Sequence, residues 1–228
     1  MEKVVADIFE IASEPLNFVG ENVFSQSLKA LSFVEVEYLP VEIELRLGKI
    51  TSDGFDSRSS PRLVSILLEK MPTIGEVSIE KYIVNRFTQK GLSTAHDLAG
   101  KFLWAREKVK LSSADFLMLN CPWDLRLCSS MEIPVKKAPV PTESSHSFLR
   151  TRHSVILGKW RVDLGTDVCL FSRKETFSIE VELVDPVHYD HTSFFHEAQF
   201  LCLQLKELVE PGGPLPQIST MTQFDPFR

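Results

Sequence analysis

Two stretches of the chain place carboxylates at every second position between apolar residues, V-E-I-E-L-R-L-G at 41–48 and F-S-I-E-V-E-L-V at 177–184. Alternate side chains of a strand share a face, so Glu42, Glu44 and Arg46 point one way, and Glu180 and Glu182 do likewise. Like charges two residues apart repel. The pattern is tolerable if the face meets water, or if the carboxylates share a divalent cation, because hard oxygen donors suit Mg²⁺ or Mn²⁺. Stretches between these two carry the opposite sign. Arg106, Lys108 and Lys110 share one parity in W-A-R-E-K-V-K-L, Arg126 lies in D-L-R-L, Arg150 and Arg152 lie in F-L-R-T-R, and Arg161 precedes Asp163 in W-R-V-D-L. A solvated sheet face mixes both signs along each strand. Here the first and last strands are acidic and the middle ones basic, as expected of polar faces that converge on a ligand carrying metal and anionic oxygens, such as a polyphosphate.

Each signal has a plainer explanation when taken alone. A lone E-x-E is more often a solvated edge strand, R-T-R at 150–152 fits an exposed hairpin, and Asp163 could simply pair with Arg161 or Arg126. Their joint occurrence in this order favours the site. The histidines at 146, 153, 188, 191 and 196 show no metal-ligand spacing apart from H-x-x-H at 188–191 and the five-residue step to His196, and they read as surface or capping residues. Cys121, Cys128, Cys169 and Cys202 are scattered without C-x-x-C spacing, so they read as thiols in or near the core, with no disulfide framework or zinc site.

The elements that must position these side chains follow from periodicity. At 228 residues the chain fits one barrel-sized domain, expected over 1–210. Hydrophobic content of 43% and charged content of 25% are those of a soluble globular protein, and no apolar run is long enough to cross a bilayer. A net charge of −6 argues against a broad surface gripping nucleic acid, so any anion site is local and concave. The N-terminus lacks a basic segment followed by an apolar one, which predicts an intracellular chain. A short amphipathic helix is expected over 3–12, and a mobile loop over 52–62. Residues 63–71 and 76–103 read as mostly helical or mixed, with an N-cap at Ser93-Thr94. Residues 33–37, F-V-E-V-E, imitate the first acidic strand, but Pro40 separates them and no Arg or Gly follows in register. Strands are expected at 103–111, 115–120, 123–133, 147–156, 159–164, 167–172 and 176–184, in an antiparallel meander. A helix follows over about 190–209, its apolar positions recurring at three and four, and residues 211–228 form a loose Pro-rich tail whose Phe224 and Phe227 could dock. Trp104, Trp123 and Trp160 are expected on the outside of the sheet.

V-E-I-E-L-R-L-G, W-D-L-R-L-C-S-S-M-E-I-P, R-T-R-H-S, W-R-V-D-L and I-E-V-E-L, in this order, resemble the metal-dependent RNA 5′-triphosphatases of mRNA capping in fungi and protozoa, which are triphosphate tunnel metalloenzymes. The resemblance covers about 40–185 and the final helix, and little in 50–100 matches. It implies an α+β, mainly β fold: an eight-stranded antiparallel barrel with flanking helices, charged inside and apolar outside. It also implies that Glu42, Glu44 and Glu182 hold Mn²⁺ or Mg²⁺, and that Glu180 and Glu132 orient the attacking water. Arg46, Arg106, Lys108, Lys110, Arg126, Arg150, Arg152 and Arg161 would contact phosphates, with Arg126, Arg152, Arg161 and Asp163 in catalytic roles. Two positions depart from the family pattern: Ser178 stands where a third Glu is usual, and Gly165 where a Thr is usual.

The activity implied is metal-dependent in-line water attack on the γ-phosphorus of an RNA 5′-triphosphate end, the first step of cap formation. Nucleoside triphosphates would be further substrates, an mRNA guanylyltransferase a partner, and the nucleus the location. The alternatives are a tunnel phosphohydrolase of inorganic or small organic triphosphate, against which Arg46-Leu47-Gly48 argues, and a non-catalytic barrel that binds a partner.

Overall fold

The computed structural model describes residues 41–87, 91–136, 145–184 and 194–225. The helix expected over 3–12 and the acidic imitation at 33–37 lie outside them. Strand β1 (Val41–Thr51) pairs antiparallel with β6 (Asp124–Pro134) on one side and β9 (Glu175–Leu183) on the other. From β9 the sheet continues through β8 (Trp160–Cys169), β7 (Ser145–Leu157), β3 (Val77–Phe87), β4 (Leu92–His96) and β5 (Phe102–Leu119), and β5 pairs with β6. The circuit is closed: an eight-stranded antiparallel β-barrel with two helices among the described residues. Two further strands hang on it. β2 (Gly54–Asp56) folds back on β1, and β10 (Gln217–Asp225) pairs with β5.

The apolar parity of the strands faces outward and meets the helices. Ile43, Leu45 and Leu47 of β1, Leu125 and Leu127 of β6, Val162 and Leu164 of β8, and Ile179, Val181 and Leu183 of β9 are all buried in one cluster. α1 (Pro61–Lys70) contributes Leu63, Val64 and Leu67, and α2 (Phe194–Val209) contributes Ala198, Leu201, Cys202 and Leu205. α1 begins where Pro61 pre-sets the first turn and the Ser60 hydroxyl accepts from the Leu63 N–H. Trp123 and Trp160 lie in this outer core, as expected, and the Trp160 indole N–H donates to Glu197 at 3.2 Å.

Several expectations are corrected. Residues 76–103 are not helical: they supply β3 and β4. The outer face of β3 is only partly covered, so Ile79 remains 64% exposed while Tyr82 and Val84 point inward, and this inverted burial hid the strand period. Inside the barrel Tyr82, Val84 and Ala95 form a small apolar cluster with Trp104, which therefore faces the lumen and not the exterior. The two strands expected at 103–111 and 115–120 are one, joined through a register shift between Lys110 and Ser112 that lets β5 bend without breaking. The strands expected at 159–164 and 167–172 are likewise one, because Gly165 continues the ladder opposite Ser178 and makes no turn. The loop expected over 52–62 contains β2 and the start of α1, and the tail expected to be loose forms β10.

Leu67 is fully buried between α1 and the barrel wall. Leu67→Ala is expected to cost about 2–5 kcal/mol in denaturant unfolding, through lost burial and a residual cavity.

Candidate active site in the barrel lumen

The period-two alternation turns the charged parity of β1, β6, β8 and β9 into the barrel, and with it the inward cations of β5 and β7. Glu44 stands directly opposite Glu182, and Arg46 opposite Glu180, in the β1–β9 ladder. On the other side of β1, Glu42 faces Ser130, Glu44 faces Cys128 and Arg46 faces Arg126. The β8–β9 ladder sets Arg161 beside Glu182 and Asp163 beside Glu180, and the β7–β8 ladder sets Arg152 beside Gly165 and Arg150 beside Asp167. β5 brings Lys108 opposite Glu132 and Lys110 opposite Ser130. The residues expected at the site therefore share one lumen.

A lattice of ion pairs joins them. Lys108 Nζ reaches Glu42 at 2.5 Å and Glu44 at 3.1 Å, bridging the two acids of β1. Arg46 contacts the same Glu44 at 2.7 Å and Glu180 at 3.8 Å. Arg161 spans Glu182 at 2.5 Å and Asp163 at 3.0 Å, and Arg152 reaches Asp163 at 3.6 Å and pairs with Glu80. Arg106 pairs with Glu132, Arg126 with Asp115, and Arg150 with Asp167 at 2.7 Å. Of the three cations on β5, Lys108 is the one that reaches the acids of the first strand. Lys110 stays exposed.

The electrostatics show what this crowding costs. Burial pushes the Glu182 carboxyl up to about 7; Arg161 opposes the shift, and repulsion from Glu42, Asp163 and Glu44 adds to it. Burial also raises Glu132, against Arg106 and with help from Glu42. Burial pulls Lys108 down, but Glu44 and Glu42 outweigh it and hold the ammonium above its usual range. Arg150 is likewise raised, Asp167 outweighing its burial. Burial drives Cys128, facing Glu44, up to about 11, so its thiol is not a nucleophile at neutral pH.

A divalent cation fits this donor set by chemistry. Glu42, Glu44 and Glu182 are hard oxygen donors from two paired strands, and their mutual repulsion is the excess negative charge that a cation would relieve. Among the described residues no three such groups converge within ligating distance, because Glu42 and Glu44 turn to Lys108 and Glu182 turns to Arg161. A cation would compete with these ammonium and guanidinium groups. Glu132 Oε1 is buried and accepts from no donor, and the Glu132 carboxyl lies against that of Glu42.

Glu80, Arg86, Asp115 and Asp167 also stand in the lattice, and the sequence analysis did not single them out. Asp167 follows Asp163 at the same parity and was legible in principle. Asp115 was hidden by the β5 bulge, which shifts the inward parity, and Glu80 and Arg86 by the helical reading of 76–103. The two departures at 165 and 178 prove to be one feature. Gly165 and Ser178 face each other across the β8–β9 ladder, and a Cβ on Gly165 would lie 2.5 Å from the Ser178 hydroxyl.

No protein-family model and no curated protein matches the sequence. Among solved structures, the Pct1 RNA triphosphatase of S. pombe aligns with a TM-score of 0.62 at 16% identity, covering 82% of this chain and 90% of that one. The structure of Pct1 in complex with the Spt5 CTD aligns with a TM-score of 0.60 at 15% identity, covering 74% and 81%. At this identity the likeness is one of fold: the barrel resembles that of an RNA triphosphatase.

The elevated Glu182 pKa has a stability consequence. Between about 4.5 and 7 the unfolded chain has released this proton while the folded chain keeps it, so stability falls as pH rises through that window. In metal-free protein, Glu182→Gln is expected to raise stability by roughly 1–3 kcal/mol near pH 8 and by almost nothing near pH 5, measured by thermal or denaturant unfolding.

Proposed function

We propose that the chain is a metal-dependent hydrolase that removes the γ-phosphate from the 5′-triphosphate end of RNA. The observation that carries this reading is the closed lumen in which Glu44 and Glu182 stand opposite each other, with Arg161 and Lys108 reaching in from the neighbouring strands. Resemblance of the fold to the S. pombe Pct1 RNA triphosphatase supports it.

The chemistry follows from the lining. A triphosphate brings several negative charges into a bore already crowded with carboxylates, so it can enter only if cations are released to meet it. Arg150, Arg152 and Arg161 are paired to Asp167, Asp163 and Glu182, and each can exchange a carboxylate for a phosphate oxygen at little cost in hydrogen bonding. Mn²⁺ or Mg²⁺ held by Glu42, Glu44 and Glu182 would supply charge neutralisation at the phosphate oxygens. Lys108, which pairs with Glu42 and Glu44, would contact the substrate once those acids held the cation. The attacking water needs an acceptor. Glu132 Oε1 accepts from no donor, and burial and the neighbouring Glu42 raise its proton affinity, which fits it for taking a proton, whereas Glu180 lies 3.8 Å from Arg46 and is better placed to orient that arginine. Fixed guanidinium groups around the transferred phosphoryl stabilise its transition state, and no covalent intermediate is required. A diphosphate RNA end is the product, the form a guanylyltransferase accepts, which makes such an enzyme the proposed partner.

The test is release of γ-phosphate from triphosphate-ended RNA, ATP and inorganic triphosphate, each with Mg²⁺, Mn²⁺ or EDTA. Metal-dependent turnover of the RNA end is expected, with Glu42→Ala, Glu44→Ala and Glu182→Ala each losing about 100-fold or more while remaining folded. Turnover of inorganic triphosphate alone would instead identify a small-substrate enzyme. Turnover unchanged in folded Glu42→Ala and Glu182→Ala proteins would show that the hydrolysis does not arise in this lumen and would point to a barrel that only binds.

Arg152→Ala is expected to lower kcat by about 10²-fold with a smaller effect on KM, because the guanidinium acts on charge that develops in the transition state.

A further inference from the structure

β3 forms the wall of the barrel opposite β1. The closed circuit sets it four pairings from β1 in either direction, through β9, β8 and β7 on one side and through β6, β5 and β4 on the other. Tyr82 of β3 is paired directly with Arg150 of β7, and directly paired residues share a face, so its side chain enters the lumen beside that arginine. It is 6% exposed.

Two chains of contacts lead from Tyr82 to the acids of the site. On one side Arg152, the next inward residue of β7 after Arg150, lies 3.6 Å from Asp163, and Arg161 joins Asp163 to Glu182. Burial pulls Arg152 down, and Tyr82 is foremost among the groups that outweigh it; burial likewise opposes Arg150, which Asp167, then Glu180 and Tyr82, hold above its ordinary range. The phenol is thus within reach of both guanidinium groups. On the other side its ring meets Trp104 in an edge contact at 6.4 Å, and Trp104 carries the Arg106 guanidinium over its own ring at 4.2 Å. Arg106 pairs with Glu132.

Packing accounts for the ring and not for the hydroxyl. The ring clusters with Val84, Ala95 and Trp104, a set that a phenylalanine would complete equally well. The hydroxyl makes no hydrogen bond with any described residue. A hydroxyl sequestered without a partner is a cost to the fold, and it points to a partner that arrives from outside. The two guanidinium groups beside it decide the charge of that partner, because they favour an anion there and a hydrogen bond from a neutral phenol to an anion is the stronger kind.

We propose that Tyr82 is a phosphate-binding residue whose hydroxyl donates to a triphosphate oxygen lying between Arg150 and Arg152, from the wall opposite Glu42 and Glu44. This deepens, and rests on, the reading of the lumen as a triphosphate site. Arg150, Arg152 and Arg161 each hold a carboxylate and must exchange it to meet a phosphate, whereas the hydroxyl exchanges nothing. It adds a donor without adding charge.

The experiment compares Tyr82→Phe with the parent protein in two measurements: calorimetric binding of the β,γ-imido analogue of ATP with Mg²⁺, which resists hydrolysis, and denaturant unfolding. The variant is expected to bind about tenfold more weakly, for one lost hydrogen bond to a charged acceptor, and to be at least as stable as the parent, since no hydrogen bond of the fold is removed. Equal affinity would overturn the proposal. So would weaker binding accompanied by lower stability, which would make the hydroxyl a structural group. A parent protein that does not bind the analogue would end the triphosphate reading and this one with it. Weakening by Tyr82→Phe in a parent that binds the analogue yet releases no phosphate from any triphosphate would refute the hydrolase and leave the role of Tyr82 standing.

Discussion

Glu44 facing Glu182 across a strand pair is the contact on which the remaining architecture turns. Glu44 is 2% exposed, and two carboxylates at directly opposed ladder positions repel. Neither could be buried there alone, so each is matched: Glu44 by Lys108 and Arg46, Glu182 by Arg161. Those cations come from the same strand, the adjacent strand and the next strand but one, so the compensation exists only when β5, β6, β1, β9 and β8 are assembled side by side in one curved sheet. The match is incomplete, as the raised Glu182 pKa records. Residual repulsion of this kind is a standing cost in stability that a bound cation would remove, and it marks a site shaped for a ligand.

Placing charge inside forces the apolar parity outward, and an exposed apolar barrel would aggregate. α1 and α2 answer this by covering β8, β9, β1 and β6, where Leu47, Leu164, Ile179 and Val181 are almost wholly buried. The β3, β4 and β7 side is finished differently. There Asn85 and Thr94 are buried polar residues on the outer face, and Asn85 donates to Thr94 and accepts from Ser147, so these groups satisfy one another. The helix-covered strands are also those that carry the carboxylates proposed to hold the metal. Rigid outer packing behind Glu42, Glu44 and Glu182 fixes their backbone, which is what a ligand set of like charges requires.

How much of this was legible depended on which strand was being read. β1 and β9 alternate strictly between charged and apolar residues, β6 and β7 retain enough alternation to be placed within a few residues, and β8 was divided in two at Gly165. β3 failed because its outward residues, Ile79 and Lys81 among them, are a mixture, and its inward ones are part charged and part apolar. β5 was divided in two because a bulge between Lys110 and Ser112 looks, in one dimension, like a turn. That bulge is also why Asp115, at the opposite parity to Arg106 and Lys108, nevertheless faces the lumen and pairs with Arg126.

By itself the sequence determined the alternation, and with it which side chains share a face on each strand. It also determined the segregation of acidic from basic strands, since a period of two is a property of any extended chain of L-residues. Only the tertiary structure decided that these faces close on one bore and which strand lies beside which. It alone set Lys108, instead of Arg106 or Lys110, against Glu42 and Glu44. The physical reason is that ladder register and barrel closure are set by pairing between segments far apart in the chain, and no local pattern encodes a distance across the lumen.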